Sequence, residues 1–148
     1  MSETKFNLND HIFRLLQSEP FFAALSRKIE KAESKAIPTA GVRVNPDTGY
    51  FEMLYNPEFF EGLTDAERSG VLVHEFYHLV FEHVTGRLPD ELSAAMTKPT
   101  QAEAALFKLW NIGADLSINC LIGKDKLPAM CCFPGVGPFE SMPEGQTA

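Results

Sequence analysis

His74, Glu75 and His78 form the pattern H-E-x-x-H inside an apolar run from Gly70 to His83. On an α-helix, positions i and i+4 share a face one turn apart, so imidazoles at this spacing can both reach one metal ion. The carboxylate of Glu75 then falls beside the metal, where it can take a proton from a water activated there. Two histidines and a glutamate inside an apolar helix need partners, because unpaired buried polar groups are costly. A single ion partners all three; the alternative is a pair of core histidines satisfied by ordinary hydrogen bonds.

A hydrolytic zinc site takes three protein ligands and leaves one position open. The candidates for the third are Asp115, His83, Glu82 and Asn119. Asp115 is the favoured one, since a carboxylate in the middle of an apolar helical segment is costly without a partner. Asn111, Asp115 and Asn119 recur every four residues as one polar line, so Asn111 and Asn119 are expected to orient the ligands. The competing reading makes that line the helix's solvent face. On a continuous helix, at about 100° per residue, His83 points away from His74 and reaches the metal only if the helix breaks first. Glu82 faces the side of His78 one turn further on, as an orienting partner or a solvated residue.

These residues need elements to hold them. Thr64 and Glu67 make a capping box that starts the motif helix, which is expected to run to about Thr85 and stop at Gly86. Its residues Val71, Leu72, Val73, Phe76, Leu79, Val80 and Phe81 are apolar nearly all round, the composition of a central helix. A second capping box, Thr100 and Glu103, opens a helix to about Ile122, stopped by Gly123. Upstream, apolar residues recur at helical spacing from Asn9 to about Ser34, with Pro20 dividing two helices. Gly41–Val44 and Tyr50–Tyr55, joined by the turn Asn45–Gly49, predict a β-hairpin. Asn56-Pro57 leads into a helical turn over Glu58–Glu61. Gly86 to Pro99 is a polar connection, and 127–148 is a Pro/Gly-rich tail expected to be irregular.

With 148 residues the chain has the length of one domain able to bury a core. Its net charge of −7 leaves no basic surplus for phosphates and argues against a nucleic-acid partner. It opens with no basic-then-apolar leader and contains no apolar run that would span a bilayer, so no membrane partner is expected. Three cysteines, Cys131 and Cys132 adjacent and no C-x-x-C among them, read as reduced thiols of a cytoplasmic protein.

Two linked stretches carry a resemblance: Val71-Leu72-Val73-His74-Glu75-x-x-His78, and Trp110-Asn111-Ile112-Gly113-Ala114-Asp115-x-x-Ile118-Asn119. With Ile37-Pro38-Thr39-Ala40 and Tyr55-Asn56-Pro57-Glu58-Phe59, they resemble the metallopeptidase domain that precedes a von Willebrand A-like domain in many bacterial and phage proteins. The likeness runs from about Phe13 to the end. It implies a minimal zincin fold, zinc on His74 and His78, a functional role for Asp115, and a partner domain or protein of the A-like type. The chain departs from the pattern at Gly113, where alanine is expected. It also stops where the pattern continues, after a segment like Pro143–Ala148, so it is expected to lack the A-like domain.

The expectation is therefore a single α+β domain over 1–148, a small sheet packed on the motif helix and the later long helix. Its expected function is zinc-dependent hydrolysis of a peptide or protein substrate, with His74, His78 and Asp115 on Zn2+ and Glu75 as base. The substrate is expected along a strand edge, either Val42–Val44 or Tyr50–Tyr55. The rival is a binding or assembly module whose zinc is structural. A fourth protein ligand, for instance His83, would favour that rival.

Overall fold

The computed structural model describes residues 6–95 and 98–148. Asn7 caps the first helix, α1 (Leu8–Ser18), by accepting from the Asn9 amide, and Pro20 stands at the first position of α2 (Pro20–Ser26). Proline is tolerated there because the first-turn amide lacks a helical acceptor anyway. The helical periodicity stops earlier than its apolar spacing suggests. Glu30–Glu33 is a strand, β1, paired in parallel with a later strand at Glu30↔Glu52 through Glu33↔Tyr55. Tertiary pairing overrides local propensity here. Ile29, 4% exposed, anchors the change of direction, and Lys31 Nζ donates to the Ser26 and Ile29 carbonyls at 2.6 and 2.9 Å.

The expected hairpin forms from β2 (Ala40–Val44) and β3 (Phe51–Tyr55), antiparallel from Ala40↔Tyr55 to Val44↔Phe51. Asn45 Oδ1 accepts from the amides of Asp47 and Thr48, and Gly49 takes the left-handed conformation (φ 72°) the turn requires. The sheet order is β1-β3-β2. β3 is thus paired on both sides, which removes Tyr50–Tyr55 as a docking edge and leaves β2.

Asn56 caps the short helix α3 (Pro57–Glu61). Thr64 and Glu67 form the predicted capping box of α4 (Asp65–Val80), and Thr100 and Glu103 that of α6 (Gln101–Ile122). Gly123, at φ 97°, ends α6. Within the connection from Gly86 to Pro99, of which residues 96 and 97 lie outside the described residues, a further helix α5 (Asp90–Ala95) forms. The tail from Leu127 carries one 3-10 turn, Gly137–Phe139, yet its Leu127 and Phe133 are buried in the core.

Helix α4 is the centre of the packing. Leu72 and Phe76 are fully buried among Leu15, Phe22, Met53 and Phe60, each burial contributing roughly 1.5–3 kcal/mol relative to exposure. Gly70 lets the chain leaving α6 come close: a Cβ there would lie 1.8 Å from the Lys126 carbonyl oxygen. Any side chain at position 70 therefore pushes α4 off the segment that follows α6. No helix among the described residues is long and apolar enough to cross a membrane.

Candidate metal centre

Helix α4 presents His74 and His78 one turn apart, and α6 crosses it with Asp115 at the same level. The Nε2 atoms of the two histidines are 3.1 Å apart. Asp115 Oδ1 lies 3.4 Å from His74 Nε2 and 3.2 Å from His78 Nε2. Zinc holds nitrogen and oxygen ligands at about 2.0–2.2 Å, so two vertices of its tetrahedron stand about 3.3 Å apart. The three donors are spaced as such a centre requires, and they are the nitrogen and carboxylate types zinc takes. The site is also half-buried, with Asp115 more open than the two rings.

Asn119 sits one turn beyond Asp115 on the same face and is 1% exposed. Its Nδ2 donates to the Cys132 carbonyl at 2.8 Å, which leaves Oδ1 as the acceptor facing His74 Nδ1 at 2.7 Å. An amide oxygen only accepts, so His74 carries a proton on Nδ1. A neutral ring protonated on Nδ1 has its lone pair on Nε2, toward Asp115.

The electrostatics favour a cation at this point. Burial disfavours a charged His74, but a hydrogen bond to Asp115, the charges of Glu75 and Asp115, and the hydrogen bond to Asn119 overcome it and lift the ring to about 8. Burial likewise works against the Asp115 carboxylate, and the hydrogen bonds and charges of His74 and His78 hold it down at about 2. The carboxylate is therefore ionised, and the negative potential at the facing Nε2 atoms is of the sign a dication needs.

A cavity of about 330 Å³ opens beside the cluster. Thr39 and the β2 residues Ala40–Val42 form one wall, Asn111 and Asp115 of α6 another, and Cys131 and Cys132 of the tail a third. Glu75 lines it too, although only 7% exposed. Asn111 stands exposed at the rim. Burial first, and then the charge of Asp115, push both thiols up, Cys131 to about 11. They line the wall as neutral thiols, and neither joins the three converging donors.

The expected continuation of α4 to Thr85 does not occur. The helix ends at Val80, and Glu82 takes a left-handed conformation with φ 58°. The amide of Glu82 donates to the Leu79 carbonyl (3.1 Å) and that of His83 to the His78 carbonyl (2.9 Å). These are the paired bonds of a Schellman motif, with glutamate in the place glycine usually holds. Because of this reversal His83 does not project from the far side of α4. It folds back over His78, Nδ1 to Nδ1 at 3.3 Å, behind the ring and away from the donor cluster. Burial, then the charges of His78 and Arg87, push His83 down to about 4. Glu82 faces solvent on the outside of the turn and takes no place among the groups around His74 and His78.

Sequence reasoning missed the contribution of the tail. Cys131 and Cys132 carry no periodicity and no metal-binding spacing, so nothing short of the fold places them beside Asp115. Trp110 was also legible only as core; its Nε1 donates to the His83 carbonyl at 3.1 Å.

The chain belongs to the family described as "Putative metallopeptidase domain", whose profile matches residues 4–134. No curated protein and no solved structure matches it.

Proposed function

We propose that the protein is a zinc-dependent peptidase of minimal zincin type, with His74, His78 and Asp115 as the metal ligands and Glu75 as general base. The observation that carries this reading is the convergence of three donors of the right types at tetrahedral spacing, beside a cavity walled by a strand edge. Bound there, zinc would supply a Lewis acid for the scissile carbonyl and lower the pKa of the attacking water. Glu75, adjacent to His74 and facing the cavity, takes the proton of that water and delivers it to the leaving amine. Asn119 keeps His74 in the tautomer that ligation needs.

The substrate is an extended peptide or protein segment. The outer edge of β2 at Ala40–Val42 offers main-chain groups for it, in the manner of strand addition. Three converging protein donors, among the described residues, favour hydrolysis over a structural zinc, for which four would be expected. A cytoplasmic setting and a partner of the von Willebrand A-like type remain part of the proposal, supported by the reduced cysteines and the sequence resemblance.

Elemental analysis of the purified protein tests the metal, with about one equivalent of zinc expected per chain. Cleavage of a quenched fluorogenic peptide library tests the reaction. Glu75→Gln keeps the shape of the acid without its basicity, so zinc content should hold while cleavage falls by about a hundredfold or more. Cleavage at the parental rate by that variant removes Glu75 from its role.

A further inference from the structure

His83 is 1% exposed, and the proposed reaction gives it no task. One of its ring nitrogens faces His78 Nδ1 at 3.3 Å, and the other, Nε2, is buried without a hydrogen-bond partner among the described residues. Two facing Nδ1 atoms make a hydrogen bond only when one carries the proton and the other is bare. If His83 were the donor, the proton of a neutral His78 would sit on Nε2. That atom lies 3.1 Å from His74 Nε2 and 3.2 Å from Asp115 Oδ1, in the middle of the donor cluster. A protonated Nε2 there has no lone pair for a metal.

We propose that His83 is a positioning residue of the metal centre: its bare Nδ1 accepts from His78 Nδ1 and holds His78 with Nε2 turned to the metal. The inference rests on reading the cluster as a metal centre. Its second support is the unpartnered Nε2. Accepting at Nδ1 leaves the proton of neutral His83 on Nε2, where none of the described residues offers an acceptor. A residue selected only to fill this volume would be leucine or phenylalanine, which bury no orphan donor.

The backbone explains how the ring is held. The Schellman reversal brings the residue at position 83 over the residue at 78, a pair that ordinarily makes an apolar contact. Here the pair is two imidazoles. Trp110 then clamps the turn from α6: its indole Nε1 donates to the His83 carbonyl, and its ring stands at 86° to the imidazole with centroids 5.9 Å apart. Trp110 lies five residues before Asp115 on one helix, so the element that brings the third ligand also fixes the support of the second.

The test compares zinc affinity, by competition with a chromogenic chelator, in the parental protein, His83→Leu and His83→Asn. Asparagine places Oδ1 where Nδ1 stands and can accept the same hydrogen bond. His83→Leu should bind zinc about 10–100-fold more weakly, with His83→Asn recovering to within about threefold of the parent. A parental protein that binds no zinc overturns the metal reading and this inference together. A parent that binds, with His83→Leu within about threefold of it, overturns the role of His83 alone. Equal weakening in both variants also overturns it, because only the volume or the fold would then matter. Should His83→Leu fail to fold, imidazole nitrogen resonances of the zinc-loaded parental protein decide the question. The proton of His83 is expected on Nε2; a proton on Nδ1, or direct ligation of zinc by His83, overturns the proposal.

Discussion

His74 and His78 sit one turn apart on α4 and turn the same atom, Nε2, toward Asp115, but their Nδ1 atoms rest on different kinds of structure. His74 leans on Asn119, which belongs to a different helix 45 residues further along the chain and is itself held by the Cys132 carbonyl of the tail. His78 leans on His83, five residues away, across a reversal that belongs to the end of its own helix. One support exists only when α4, α6 and the tail are packed together. The other is local in sequence, a reversal at the helix end that Trp110 of α6 then clamps. In the proposed metal centre the orientation of His74 therefore depends on long-range packing throughout, whereas that of His78 depends on α6 only through the Trp110 clamp on the turn. Loosening the packing of α6 should release His74 and Asp115 together, while the His78–His83 pair loses only its Trp110 clamp.

The largest effect that could break this comparison is the removal of the residue both rings share. Asp115→Ala takes away the only carboxylate among the three donors, and zinc affinity should fall on the order of a thousandfold or more, well beyond any loss at His83. Chelator competition on Asp115→Ala and His83→Leu side by side measures the ranking. Retention of zinc by Asp115→Ala with loss in His83→Leu would exchange the parts of the two residues and place His83 on the metal.

A smaller effect distinguishes what Asn119 does from what it merely fills. Asn119→Ala removes the acceptor for His74 and should weaken zinc binding by about 10–100-fold. Asn119→Asp restores an acceptor for His74 but cannot donate to the Cys132 carbonyl. Zinc affinity should therefore recover in the aspartate variant while thermal stability falls, a buried carbonyl having lost its donor at a cost of about 1–3 kcal/mol. Affinity that fails to recover would mean that the anchoring to Cys132, not the acceptor, sets the orientation of His74.

Much of the first support could be read from residue spacing, and little of the second. Asn111, Asp115 and Asn119 repeat every four residues on a long capped helix, and a regular helix keeps such a line on one face. The capping boxes at Thr64 and Thr100 marked both helix starts for the same reason: they are local hydrogen-bond patterns with fixed spacing. The hairpin was legible from its turn residues. β1 was not, because Glu30–Glu33 owes its extended form to β3 and not to its own residue types. The end of α4 was hidden in a different way. Gly86 looked like the stop, but the left-handed residue is Glu82, and glutamate gives no sign of that conformation. With the reversal unseen, His83 fell on the wrong side of the helix and its contact with His78 could not be anticipated.

That hidden residue provides the smallest and most local test. A non-glycine residue in the left-handed region is disfavoured by about 1–2 kcal/mol, because its Cβ crowds the neighbouring carbonyl. Glycine at the same point of a Schellman motif avoids this, at the cost of a more flexible unfolded chain. Glu82 is exposed and its side chain lies over Gly86, where a Cβ would meet its Oε2 at 2.9 Å. Glu82→Gly should therefore leave the protein as stable as the parent or raise its stability by up to about 1 kcal/mol, a rise of roughly 2–4 °C in Tm for a chain of this size. Zinc affinity should stay within about threefold of the parental value, because no part of the donor cluster or its two supports includes the carboxylate. A variant that melts lower would show that the reversal depends on the Glu82 side chain and not only on its backbone. A variant that keeps its stability but loses zinc would return Glu82 to the ligand-orienting part its position one turn beyond His78 first suggested. It would also move the second support of the metal centre from His83 to the residue that turns the chain.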